Sequence, residues 1–121
     1  MSTGIFLISQ ERERQILEEK WTIEHDDEHT DGSLALVATC YASPIKIFQI
    51  DELAGGLAFI DPWPDSWLKM YDKRMGYGER KKNPGNVVPN PHTYNKKERL
   101  DLLVKAGALI AAEIDRLNRK G

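Results

Sequence analysis

One cysteine, three histidines and no apolar run of membrane-spanning length narrow the chemistry open to this chain. Cys40 has no partner for an internal disulfide and sits in an apolar stretch, so it reads as a small core residue in a reducing compartment. Residues 1 to 8 carry no basic start and too short an apolar stretch for a signal peptide. Nothing approaches the ~18 apolar residues of a membrane span. A cytoplasmic protein without a membrane partner is therefore expected. A net charge of −2 supplies no global basic field for DNA or a lipid surface. There is no Ser-His-Asp order, no P-loop and no dinucleotide fingerprint. What is present suits one domain over residues 1–121: 40% hydrophobic and 30% charged residues are ordinary for a globular chain with a real core.

The pattern predicts a mainly α domain of three principal helices, with a long and partly irregular insert (44–94) between the second and third. Ile5, Ile8, Arg12, Ile16 and Leu17 follow helical spacing, which places a first helix over roughly 4–20. Asp31, Gly32 and Ser33 offer cap chemistry for a second helix from Ser33 to Ala42, its apolar stripe being Leu34, Val37, Ala38 and Tyr41. Pro44 ends it. Residues 45 to 50 alternate enough for a short strand, and 53–60 is apolar but broken by Gly55-Gly56. From Asp72 to Pro91, Gly, Pro, Asn and basic residues predict a long surface loop. Asn95-x-x-Glu98 has the form of a capping box and opens the third helix, 95–119. Its main apolar stripe is Leu100, Leu103, Val104, Gly107, Ile110, Ala111, Ile114 and Leu117, with Leu102 and Leu109 off that line. Its small residues allow close helix approach, and a homo-oligomer through this helix is a possible outcome.

Charge is concentrated locally. Glu24 to Asp31 holds five acids and two histidines. If that turn is helical, His25 and His29 share one face, and Asp26 or Asp27, with Glu113 or Asp115 from the third helix, could add oxygen ligands for a divalent metal. The bland alternative makes the acids a favourable charge at a helix N-terminus, worth about 0.3–1 kcal/mol each, with no cofactor at all. Glu24-x-x-Asp27, Glu28-x-x-Asp31 and Glu98-x-x-Asp101 also match one of the two spacings of the all-helical Mg²⁺ nucleotide pyrophosphohydrolases, though not in the expected order on a helix pair.

A second concentration lies in the insert. Trp63, Trp67, Tyr71 and Tyr77 interleave with Lys69, Arg74 and Arg80, a mixture that suits a stacked base with its phosphates. The same residue types would anchor a protein partner. The plainer reading makes the tryptophans core plugs and the basic side chains a solvated face.

Glu11-Arg12-x-Arg14-Gln15, Trp21-Thr22-x-Glu24-His25-Asp26-Asp27-x-His29, Gly32-x-Leu34-Ala35, Tyr41-Ala42, Trp63-Pro64 and the run from Leu103 to Leu117 together resemble a family of small phage- and prophage-encoded proteins. The resemblance covers both ends and thins over 44–94. The chain departs from it at Val37-Ala38, where members carry Ala-Ala, and at Trp63-Pro64-Asp65, where they carry Trp-Pro-Trp. It implies a non-enzymatic accessory or anti-defence protein of the host cytoplasm, binding a nucleotide-type signal or a host defence component. A metal-dependent hydrolase of a phosphorylated small molecule and a protein–protein adaptor are the alternatives.

Overall fold

The computed structural model describes residues 3–68, 71–82 and 88–120 and is mainly helical. Among them, α1 (Thr3–Leu17), α2 (Ile23–Glu28) and α3 (Ser33–Ala42) precede a hairpin of β1 (Gln49–Leu53) and β2 (Gly56–Ile60). Short 3₁₀ turns at Lys73–Gly76, Gly78–Lys81 and Pro91–Thr93 lead into α4 (Lys96–Lys120). The long loop expected over 72–91 is thus partly built from tight turns; residues 83–87 lie outside the described residues.

Local chemistry explains the helix ends. After α1 the chain reverses at Lys20, whose φ of 63° is left-handed, and this turns Trp21 into the core. Thr22 then caps α2 by accepting from the His25 N–H. The backbone N–H of Ser33 donates to Asp31 at 3.0 Å where α3 begins. Asn95 and Glu98 exchange reciprocal hydrogen bonds of 2.8 and 3.0 Å, the capping box expected for α4. Arg99 donates to the carbonyls of Ala42 and Ser43 and so caps α3 from α4.

The hairpin sits later than the sequence suggested. Strand pairing begins at Gln49, not Ile45, and the break falls at the Ala54-Gly55 turn of a β-hairpin, with Gly56 opening β2 opposite Leu53 and the register pairing Ile50 with Phe59 and Glu52 with Leu57. Gly56, at φ 121°, takes a conformation that a side chain would strain.

α4 packs against α3 on one flank and α1 on the other. The face it turns inward is Leu102, Ala106, Leu109 and Ala112, which join Leu34, Val37, Ala38, Cys40 and Tyr41 of α3 and the rings of Trp21, Trp63 and Trp67. The stripe of large aliphatics prominent in the sequence faces out: Leu100, Leu103, Ile110, Ile114 and Leu117 are 40–55% exposed. The reason is volume. Three indoles and a tyrosine already fill the interior, so only small side chains and two leucines of α4 fit against them. Burial of Leu109 rather than of the outer stripe predicts that Leu109→Ala lowers unfolding free energy by about 2–5 kcal/mol, as read by urea denaturation. A loss under about 0.5 kcal/mol, the range of a surface change, would contradict this packing.

Candidate functional site

The acidic His motif folds into a relay that crosses the core. α2 is helical, so His25 and His29 stand one turn apart with their Nε2 atoms at 3.3 Å. The Nδ1 of His25 meets Asp26 at 3.2 Å, and the Nδ1 of His29 meets the Ser33 hydroxyl at 3.0 Å. Trp67 donates its indole N–H to the same hydroxyl at 3.0 Å, and Arg12 donates to Asp26. With each imidazole in its neutral form, donor and acceptor counts give one consistent direction along the chain. The indole can only donate and the carboxylate only accept. The chain therefore runs Trp67 N–H to Ser33, Ser33 O–H to His29 Nδ1, His29 Nε2–H to His25 Nε2, and His25 Nδ1–H to Asp26.

The rings form one stack of edges and faces. Trp21 lies parallel to His25 at 5.7 Å, and Trp67 meets Trp21 edge-on at 5.0 Å and His29 at 5.1 Å. Burial, reinforced by the charge that His25 would carry, holds the His29 pKa below its usual value, against the pull of Asp31, Asp26 and Glu28. Ser33 is 1% exposed, so no substrate reaches its hydroxyl.

The carboxylates expected to complete a metal site are each engaged by an arginine. Asp26 is paired with Arg12, Asp27 with Arg119 at 2.8 Å, and Glu113 with Arg116 at 2.6 Å. Among the described residues no group of three or more His, Cys, Asp or Glu side chains is placed to hold a metal ion.

Two tryptophans and two arginines of the insert are internal. Trp63, Trp67, Arg74 and Arg80 are each under 9% exposed. Arg74 lies over the Trp63 ring at 5.2 Å and spends its donors on two carboxylates: Asp72 at 2.9 Å and Asp61 at 2.7 Å. Tyr71 is half-buried, its carbonyl accepting from the Tyr41 hydroxyl at 2.9 Å, and Tyr77 donates to Asp101. Lys69 lies outside the described residues. A cleft of about 240 Å³ opens beside this group, lined by Ile60, Asp61, Trp63, Asp65, Asp72 and Arg80 among others. Two of its three carboxylates, Asp61 and Asp72, are already paired with Arg74, so the cleft wall carries no surplus of positive charge for a phosphate. The signal for this was in the sequence, since Asp72 stands two residues before Arg74.

What the chain does expose is apolar. Phe48, Ile50, Leu57 and Phe59 are 50–64% exposed. The register sets Ile50 beside Phe59 on one face, and Phe48 meets Phe59 edge-on at 5.8 Å. The opposite face, with Asp51, Ala58 and Ile60, is partly buried. Among the described residues the strands pair only with each other, so each has an open edge.

No family model, curated protein or solved structure matches the chain.

The relay predicts a pH signature. His29 stays neutral in the fold while the unfolded chain takes up its proton near pH 6.5, so stability is full above that value and falls as the pH drops through it. Glu11, Glu19 and Glu98 contribute nothing to this window. Burial would raise each carboxyl, but pairing with Arg14, Lys73 and Lys81 in turn lowers it, so their stabilisation is lost only below about pH 4.5. Thermal melts at pH 7.5, 6.5 and 5.5 should show Tm falling, and His29→Asn should start lower and lose the slope. An equal slope in wild type and variant would remove His29 from the account.

Proposed function

We propose that this chain is a non-enzymatic accessory protein that acts by binding another protein, and that the exposed face of the hairpin makes the contact. The observation that carries this reading is the pairing of a solvent-exposed Phe48, Ile50, Leu57 and Phe59 face with open strand edges. A two-stranded hairpin has little stability of its own, and a four-residue apolar face held in water is characteristic of a binding surface. Aromatic anchors beside a single acid, Glu52, suit a heterologous protein contact, and an extended partner segment can add to either edge. The phage resemblance of the sequence points to a host defence component as that partner and to the host cytoplasm as the place of action. Among the described residues no helix is long and apolar enough to cross a membrane.

A nucleotide-type ligand has less support, because Trp63, Trp67, Arg74 and Arg80 are buried and Arg74 is paired with Asp61 and Asp72. The hydrolase reading keeps one favourable feature: the two Nε2 atoms 3.3 Å apart, each with its other ring nitrogen already held.

Affinity capture from a phage-sensitive host separates these readings. The tagged wild type should recover one defined protein in stoichiometric amount, and Leu57→Asp/Phe59→Asp should lose it with Tm shifted by no more than a surface change allows. Thermal shift against a nucleotide panel should show no stabilisation. A nucleotide that raises Tm would replace the protein-binding reading. Metal at one per chain, with nucleoside triphosphate turnover lost in His29→Ala, would replace it with that of a hydrolase.

A further inference from the structure

The outward stripe of α4 has the spacing of a helix-pairing seam. Leu100, Leu103, Gly107, Ile110, Ile114 and Leu117 are separated by 3, 4, 3, 4 and 3 residues, the a/d pattern of a heptad. A seam of this kind is ordinarily buried by a second helix, yet here its five large side chains are 40–55% exposed while the opposite face of the same helix supplies the core. The gap at Gly107 is filled from α1. A methyl group there would lie 2.5 Å from Ile8 Cδ1, so Ile8 completes the apolar line where the helix lacks a side chain.

The seam continues into a groove on each flank. Toward α1 the groove is lined by Ile5, Ile8, Ile16, Leu17 and Ala111 with Ser9, Arg12 and Glu13 at its polar margin, and toward α3 by Ala38, Ala42, Ile47 and Ile110 with Thr39 and Ser43. The resulting face is a ridge with apolar grooves beside it, about 25 Å long from Leu100 to Leu117 at 1.5 Å per residue. Three helices at ~8–10 Å spacing make it roughly 25–30 Å wide. The footprint, on the order of 700 Å², is close to the ~800 Å² per partner of a stable interface.

We infer that this face is the interface of a two-fold homodimer, with α4 of one protomer seated on α4 of its partner. The composition selects a second copy over an unrelated protein. The seam holds only Leu, Ile and Gly, without the Trp, Tyr or Arg anchors of heterologous contacts, and homodimer interfaces are the more apolar class. A two-fold axis would set the ridge of each copy against a flanking groove of the other, so one symmetry operation makes both contacts. Dimerisation leaves the hairpin free and doubles its number per particle, so this inference stands apart from the hairpin's role.

Light scattering coupled to size exclusion reads the result directly. The wild type should elute at twice the 13.8 kDa chain mass, and Leu103→Glu/Ile114→Glu should elute at the chain mass with unchanged far-UV circular dichroism. Both positions are exposed in the single chain, so the substitution removes the contact and not the core. Should the double variant lose helicity, Ile114→Asn alone supplies the same comparison. Leu57→Asp/Phe59→Asp should remain dimeric, which separates this face from the hairpin. A monomeric wild type, or a dimer that survives the α4 variants, overturns the inference.

Discussion

The structure depends on how the interior is filled. Trp21, Trp63 and Trp67 come from segments that are neither strand nor long helix, and together with Tyr41 they occupy the space beneath α3 and α4. Interiors pack at crystal-like density, so side chains this large leave room for little else. α3 and α4 answer with Val37, Ala38, Ala106 and Ala112, and α4 can approach closely only along its small-residue line. Everything outside follows from that choice. A helix with apolar residues on two faces can bury one within its own chain; the smaller face is buried here, and the larger stays exposed.

This explains which parts of the molecule were legible in the sequence. The ends of α3 and the start of α4 are written locally: Asp31-Gly32-Ser33 and Pro44 bracket one helix, and Asn95 with Glu98 opens the other. Such signals involve residues a few positions apart, and the fold cannot override them cheaply. The facing of α4 is not local. A periodicity rule follows the largest aliphatics and points to Leu103 and Ile114, whereas the buried face is decided by indoles about 35 to 90 residues away in sequence. The hairpin was half visible, because Gly55-Gly56 marks a turn but nothing nearby fixes the pairing register that begins at Gln49.

The candidate site divides in the same way. That His25 and His29 share a face follows from i,i+4 spacing. Their partners do not, since Ser33 and Trp67 arrive from α3 and from the insert. For the aromatic and basic residues of the insert the sequence carries two meanings, a ligand platform and a core with internal ion pairs. Geometry favours the second for Arg74: four of the N–H donors of its guanidinium are spent on Asp61 and Asp72, with carboxylate oxygens at 2.7 and 2.9 Å.

The buried ionic groups and the exposed hairpin belong to one mechanical arrangement. β2 ends at Ile60; Asp61 is held by Arg74, Trp63 enters the core, and Trp67 closes on the Ser33–His29–His25–Asp26 relay. Each step between the hairpin and α2 is therefore a directional contact rather than general apolar packing. Apolar cores accept several near-equivalent packings, while a hydrogen-bond chain with a donor-only indole at one end and an acceptor-only carboxylate at the other accepts one. An apolar hairpin that projects into water gains its fixed position from its base, because its own ladder is too small to supply one. Holding the base with charge and hydrogen bonds lets the tip remain apolar and open to a partner without being drawn into the core, which is the condition a binding surface on so small a domain has to meet.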